Sequence, residues 1–170
     1  SHQLSVMAGG EKYKTNVSLG YDDVEGLFKE NLSWTRVSAR INNDIKITKW
    51  LSTSIDLNLR KTSAINPAYS PSNQMRYAAP VYAGVYSDGR LAPGKDGTNP
   101  YGKMMYGGTT SERRYQANAK LGMTITPLDG LSVSGVLAPI FNFTKGKTFT
   151  KQVLYYPEWD DTKTTKMLDG

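Results

Sequence analysis

Cysteine is absent from this chain of 170 residues, and His2 is its one histidine. The lack of cysteine excludes disulfide bonds, thiolate chemistry and cysteine-ligated metal sites. A catalytic triad or a histidine-based metal site would have to use His2, whose position in a strand-like segment is typical of a strand-edge residue. The sequence therefore predicts no catalytic residue, no cofactor and no metal ion, and the chain is not expected to be an enzyme.

Long apolar runs are also missing. No stretch of about 18 consecutive apolar residues occurs, and this excludes a transmembrane helix. The formal net charge is +6, but the basic residues are scattered along the chain and form no cluster typical of a nucleic-acid-binding face. We therefore expect no nucleic-acid partner.

What the sequence does contain is a strict alternation of apolar and polar residues. Between Tyr13 and Tyr21 the odd-numbered positions are mainly apolar, and the even-numbered ones are small or polar. Similar alternation starts at Thr35, Leu51, Tyr115 and Leu131. A period of two places the two sets on opposite faces of a strand. Strands of about ten residues exceed the usual globular length and match the length needed to cross a bilayer at a tilt.

The segments between the strands alternate between short and long. The pattern predicts strands at about 3–9, 12–21, 34–46, 50–61, 114–126 and 131–140, with a weaker one near 147–156. Short turns at residues 9–11, 47–49 and 127–130 alternate with long connections at 22–33 and 62–113. Membrane barrels show this asymmetry. The predicted fold class is therefore all-β: antiparallel, up-and-down strands forming part of a transmembrane β-barrel, with a long extracellular loop at about 62–113.

The two faces of these strands are expected to meet different surroundings. The predicted lipid-facing side chains include Val37, Ile41, Ile55, Leu57 and Leu121. The predicted lumen-facing side chains are Arg36, Arg40, Asp56, Asn58, Arg60, Asn118 and Lys120. The second set has two interpretations: these residues line a path for a solute, or they pair with one another and with an internal plug.

Tyrosine is the commonest aromatic residue, and six tyrosines lie in the long connection. They are Tyr69, Tyr77, Tyr82, Tyr86, Tyr101 and Tyr106. Aromatic faces stack on sugar rings and peptide side chains, and the hydroxyl groups form hydrogen bonds. These six are the candidates for contact with a substrate or with a lid protein. The alternative is that they pack the loop itself.

The order and spacing of several short motifs resemble one family, the SusC/RagA-type TonB-dependent outer-membrane transporters of Bacteroidota. The matching segments are His2 to Val6, Gly9 to Tyr21, Val24 to Phe28, Arg36 to Asn42, Lys49 to Leu51, Arg76 to Tyr82, Asp88-Gly89 and Pro127 to Leu131. The resemblance covers most of the chain to about residue 137 and is weaker beyond it.

This resemblance implies a barrel of about 22 strands that encloses a plug domain. It also implies a SusD-type surface lipoprotein as a lid, and energy supplied by the TonB complex through the plug. The implied function is import of oligosaccharides or peptides across the bacterial outer membrane. The 170 residues contain no TonB box, no plug and too few strands to close such a barrel. An open sheet edge is not tolerated in lipid, so these residues alone are not expected to transport a solute. They are either a wall segment whose missing neighbours must be supplied or a fragment that folds in some other way.

Two other functions compete with this interpretation. A soluble β-sandwich that binds glycans at the cell surface would also show alternating strands, with its apolar faces packed together. The strand lengths and the short-long order of the connections disfavour it. An outer-membrane barrel hydrolase is disfavoured because the sequence offers no credible catalytic constellation.

Overall fold

A computed structural model of the chain describes residues 1–26, 31–70, 73, 75–76, 78–95, 97–156 and 165–166. Its main feature is a sheet of seven strands, whose neighbours follow sequence order from β1 to β6. The strands are β1 (His2–Gly9), β2 (Tyr13–Glu25), β3 (Ser33–Lys46), β4 (Leu51–Pro67), β5 (Gly108–Leu128), β6 (Leu131–Leu137) and β7 (Ile140–Thr150). Two short strands, β8 (Leu154–Tyr155) and β9 (Thr165–Lys166), form a separate pair. The predicted fold class is confirmed as an all-β, antiparallel, up-and-down sheet of the kind found in barrel walls.

The strand register brings apolar residues together on one face. Leu4 lies opposite Leu19, and Val6 lies opposite Val17, across β1 and β2. These side chains are largely exposed, with 61% of Val6 and 51% of Leu19 accessible. An extended apolar face of this size is unusual on a soluble monomer and marks a surface that is covered by lipid or by another protein.

β6 and β7 together form one interrupted strand along β5. The interruption falls at Pro139, which lacks the backbone N–H needed to donate to a neighbouring strand. Its carbonyl still accepts a hydrogen bond of 3.0 Å from the Ala119 N–H. Beyond the proline, the side chains of Gln116 and Asn142 are joined at 3.1 Å, so the pairing continues without a gap. The structure thus corrects the weak strand predicted at 147–156, because β7 begins at Ile140 and ends at Thr150.

The long connection is shorter than predicted at both ends. β4 continues to Pro67 and β5 begins at Gly108, so the connecting residues are 68–107 and not 62–113. A hydrogen bond of 3.0 Å from the Ala68 N–H to the Gly108 carbonyl lies at the end of this pair. Four of the twelve added strand residues are Thr or Ile, whose branched side chains suit an extended backbone. The alternation of apolar and polar residues, on which the prediction relied, ends before the hydrogen-bonded pairing of β4 with β5 ends.

A helix, α1 (Pro100–Tyr106), lies in this connection and was not predicted. Asn99 caps its first turn, and Pro100 occupies the first helical position. Proline is suited to that position because its missing N–H would have no partner inside the helix. No helix of the described residues is long and apolar enough to span a membrane.

The chain divides into two compact units. The sheet unit contains residues 1–24, 34–63 and 113–145, and the loop unit contains residues 25–33, 64–112 and 146–170. The buried apolar residues of the described chain all belong to the loop unit. They are Ala92, Met104, Val153 and Tyr155.

Candidate functional site

A cavity in the sheet unit collects five of the seven predicted lumen-facing residues, together with apolar residues that include Leu57 and Ile140. Its volume is about 340 Å³. Arg40 comes from β3, Asp56 and Asn58 from β4, and Asn118 and Lys120 from β5. Their even numbers place them on the face opposite the apolar side chains, so adjacent strands bring them together. The alternation alone was therefore sufficient to find this group.

Charges of both signs and several amides line this cavity. Asn42 Nδ2 donates a hydrogen bond of 2.7 Å to Asp56 Oδ1. The side-chain oxygen of Asn118 is buried and has no hydrogen-bond partner within the described part of the chain. Arg40 and Lys120 are exposed. Such a surface offers donors, acceptors, a carboxylate and two cations to a polar solute.

The structure does not bring the remaining two lumen-facing candidates into the cavity. Arg36 forms an ion pair with Asp22, with 2.7 Å between its nitrogen and the carboxylate oxygen, and its guanidinium lies 5.0 Å from the ring centroid of Trp34. This contact agrees with the second interpretation of that residue, pairing within the protein. Arg60 is exposed and lies outside the cavity.

Glycine and serine pack closely on the same polar face, a feature that the sequence analysis missed. A Cβ atom added to Gly20 would lie 2.7 Å from Ser38 Oγ, and one added to Gly122 would clash with Ser54 Oγ. Real Cβ atoms do not approach other atoms so closely, so these two positions require glycine or a shift of the serine. The consequence is a locally flat polar surface beside the cavity residues.

In the loop unit, the side chain of Asn99 joins three segments of backbone. Only 1% of the residue is accessible to solvent. Its Nδ2 donates to the carbonyl oxygens of Gly84 and Ala92, both at 2.6 Å. Its Oδ1 accepts from the Gly102 N–H at 3.2 Å and so caps α1. One asparagine thus holds two loop segments against the start of the helix.

Tyr155 fills the centre of the loop unit. It is fully buried, and its hydroxyl donates a hydrogen bond of 3.4 Å to the Asn99 carbonyl. A Cβ atom on Gly102 would lie 2.7 Å from the Tyr155 ring, so the helix can approach the ring this closely only because residue 102 is glycine. The sequence analysis missed this tyrosine because it lies outside the long connection.

The connection between β2 and β3 is attached to the same helix. Asn31 Nδ2 donates to the carbonyl oxygens of Met104 at 3.0 Å and Met105 at 2.8 Å. Carbonyl groups in the last turn of a helix have no partner within the helix. The amide of Asn31 supplies that partner, so the two long connections form one folded unit.

The predicted tyrosine site separates into packed and exposed residues. The ring centroid of Tyr69 lies 4.9 Å from Lys103 Nζ, and Tyr86 is half-buried in a turn. Tyr82, Tyr101 and Tyr106 have 45%, 40% and 53% of their surface accessible. Tyr77 lies outside the described residues. The exposed rings are available for stacking on a ligand, whereas the contact of Tyr69 agrees with the alternative in which the tyrosines pack the loop itself.

A charged turn lies in the same unit. The Arg90 backbone N–H donates to Asp88 Oδ1 at 3.0 Å, and Arg90 Nε donates to Asp88 Oδ2 at 2.6 Å. These two hydrogen bonds lower the pKa of the Asp88 carboxyl below its ordinary value. The Arg90 guanidinium also lies 5.5 Å from the ring centroid of Tyr156.

Comparison with known proteins supports the resemblance at the level of the fold. The chain matches no protein-family model, and no curated protein matches it by sequence. It is similar to a chain in the solved structure of the RagAB peptide importer in the closed-closed state, with a TM-score of 0.61 and 20% sequence identity. The match covers 94% of this chain and 19% of that chain. This chain therefore has the fold of a segment of a much longer transporter-complex protein.

Proposed function

We propose that this chain forms part of the wall of a bacterial outer-membrane importer for peptides or oligosaccharides. The observation that carries the proposal is the two-sided sheet, which has an exposed apolar face and a group of polar and charged side chains from β3, β4 and β5 on the opposite face. Its similarity over 94% of its length to a chain of a peptide importer supports the same function. Transport here is binding followed by gated passage, and no covalent step is involved.

The apolar face is suited to contact with lipid. Val37 and Leu121 are 51% and 43% accessible, and Ile41 and Ile55 are also exposed. Transfer of apolar side chains out of water is favourable by about 25 cal/mol per Å². Hydrocarbon provides this gain without a second protein layer, as in the outer surface of membrane barrels. A β-sandwich would instead bury this face against a second sheet.

The polar side chains of the cavity are suited to contact with a solute or with other polar groups of the protein. Asp56 and Lys120 provide charges of opposite sign, and Asn58 and Asn118 provide donors and acceptors. Peptides carry both charges and amides, so this lining favours a peptide over a neutral sugar. The similar solved chain belongs to a peptide importer, which supports the same choice.

The loop unit is proposed to lie outside the membrane. Its exposed rings, Tyr82, Tyr101 and Tyr106, would contact substrate or a SusD-type lipoprotein lid. The solved relative is a two-component RagAB importer, which supports such a partner. Energy from a TonB complex would reach the barrel through a plug domain, outside this chain.

Site-directed spin labelling of the whole protein in a bilayer tests the wall assignment. Labels at Ile41 and Ile55 are expected to be accessible to oxygen and protected from a water-soluble nickel complex, as in hydrocarbon. Labels at Asn58 and Asn118 should show the opposite preference. Equal nickel accessibility at all four positions would exclude the wall assignment.

Uptake by intact cells tests the substrate class. Cells that depend on this protein are supplied with fluorescent peptides or fluorescent oligosaccharides. Asp56→Asn is expected to reduce uptake of a basic peptide severalfold, whereas Asp129→Asn, in an exposed turn, should not. Uptake of oligosaccharide alone would overturn the peptide preference and leave the wall assignment in place.

A further inference from the structure

A shallow trough crosses the apolar face of the sheet unit, near the middle of β4 and β5. Its volume is about 470 Å³, and its lining is almost entirely apolar. The side chains that border it come from β3, β4, β5 and β7 and include Val37, Ala39, Leu59, Ala117, Phe141 and Phe143.

The shape of the trough follows from the sizes of its residues. Ala39 and Ala117 are small, and larger side chains border them on the same face. Phe141 and Phe143 are 69% and 63% accessible, so the walls are not covered by the described chain. A smooth strand surface would instead carry residues of similar size. A recess between bulky side chains is suited to a hydrocarbon chain, which gains dispersion contacts there.

Basic side chains lie at one end of this trough. Lys61 Nζ lies 5.9 Å from the ring centroid of Tyr115, and that ring lies 6.2 Å from the ring of Phe143. Arg113 is two residues before Tyr115 on β5, and Lys145 is two residues after Phe143 on β7. A spacing of two keeps a side chain on the same face. Lys61, Arg113 and Lys145 therefore form a cationic rim on the face that carries the trough.

The rim has no acidic partner in the described structure. All three side chains are exposed, and they take no part in the ion pairs seen between described residues, Asp22–Arg36 and Asp88–Arg90. On this face Asp23 and Glu25 lie at the corresponding end of β2, a strand that does not border the trough. Uncompensated cations beside an apolar recess are complementary to an anionic headgroup attached to acyl chains.

We propose that the trough and its rim bind a membrane lipid whose phosphorylated headgroup carries a net negative charge. The acyl chain lies along Ala39 and Ala117, and the phosphate contacts Lys61, Arg113 and Lys145. This inference rests on the proposed function, because it requires the apolar face to be in a membrane. On β4 and β5 the rim lies on the side of the trough that is nearer the long connection, so the bound lipid belongs to the outer leaflet.

Lipid binding by the whole protein, purified in a neutral detergent, tests the inference. The probes are lipid A, which carries phosphate, and phosphatidylcholine, which is zwitterionic, and binding is followed by native mass spectrometry. The variant K61Q/R113Q/K145Q is expected to weaken lipid A binding about tenfold or more, since each basic residue near a headgroup contributes on the order of fivefold. Phosphatidylcholine binding should change little.

A charge-matched control variant distinguishes binding at this site from general electrostatic attraction between the basic protein and lipid A. The variant K12Q/K14Q/K46Q removes the same number of exposed cations near the short turns and is expected to retain lipid A binding. Equal losses in both variants, or no loss in either, would overturn the proposed site. Ala117→Phe should fill the trough and weaken lipid A binding severalfold, and unchanged binding by that variant would also contradict it.

Spin labels at Ile55 and Leu121 distinguish the two possible failures. If these labels report hydrocarbon but lipid A binding does not depend on the rim residues, the wall assignment stands and the lipid site is rejected. Labels in water would reject both. If inorganic phosphate competes with lipid A, and Ala117→Phe does not weaken lipid A binding, the cations form an anion site only. That result would reject the proposed lipid site.

Discussion

The two units of this chain place their apolar side chains in opposite ways. In the sheet unit, residues such as Val37 and Leu121 are about half accessible, whereas in the loop unit Met104 and Tyr155 are at most 3% accessible. The loop unit follows the rule for proteins in water, in which apolar groups leave the solvent. The sheet unit leaves its apolar side chains exposed, as the proposed contact with lipid requires. The comparison shows that the two parts of one chain distribute their apolar side chains by different rules.

The largest expected effect comes from removing the centre of the loop unit. Tyr155→Ala should destabilise that unit by about 3–5 kcal/mol, because a buried aromatic ring is lost and a cavity remains. Hydrogen exchange of the α1 amides measures the change. Tyr155→Phe, which loses only the hydroxyl contact with Asn99, should cost about 1 kcal/mol. A similar loss in both variants would show that the hydroxyl, and not the packed ring, is the dominant contribution.

A charge on the apolar face of the sheet should have the next largest effect. Ile55→Arg is expected to cost about 2–4 kcal/mol in a bilayer, because the guanidinium meets hydrocarbon. Asn58→Arg, on the opposite face of the same strand, should cost little. Unfolding of the protein in lipid vesicles by denaturant measures both. If the two substitutions were equally tolerated, the sheet would not be two-sided with respect to lipid.

A smaller effect is expected when the amide that joins the loop segments is removed. Asn99→Ala leaves the carbonyl groups of Gly84 and Ala92 without their donor and removes the helix cap, with an expected cost of about 1–3 kcal/mol. Asn142→Ala is the matched control, because its single side-chain contact, with Gln116, is exposed. Limited proteolysis between residues 84 and 99 should increase only in the first variant. Equal cleavage of both would contradict the role of Asn99.

The smallest effect concerns pH and the turn that contains Asp88. The folded pKa of this carboxyl is depressed below its unfolded value. Its contribution is therefore present above the unfolded pKa, near 4, and is lost as the pH falls through the folded value. The protection of the Arg90 amide, taken as its exchange rate relative to the intrinsic rate at the same pH, should be smaller below pH about 4 than at neutral pH. Asp88→Asn should remove this dependence, and a dependence that persisted in that variant would assign it to another group.

The sequence predicted the sheet better than the loop unit, for a physical reason. A strand in a membrane wall separates its two faces by residue number alone, so Arg40, Asp56 and Lys120 could be grouped before any contact was known. The loop unit has no such period. Its central residues, Asn99 and Tyr155, are distant in sequence, and their importance comes from hydrogen bonds and packing across the chain.

Some signals in the loop could have been used. The pair Asn99-Pro100 is a typical helix start, with a capping side chain followed by a proline at the first helical position. The extension of β4 to Pro67 was harder to predict, because residues 62–67 do not alternate as regularly as the rest of the strand. Pairing with β5 across the sheet determines where that strand ends.

By itself, the sequence determined which residues share a face of each strand, where the tight turns lie, and that one face is mainly apolar. Only the tertiary structure decided that β6 and β7 follow one path along β5, that Asn31 and Asn99 assemble the long connections into a folded unit, and that two alanines and three cations meet on one surface. Periodicity is a local property, which the backbone imposes on each strand separately. The meeting of distant residues depends on register and packing between segments, and no single segment of the sequence contains that information.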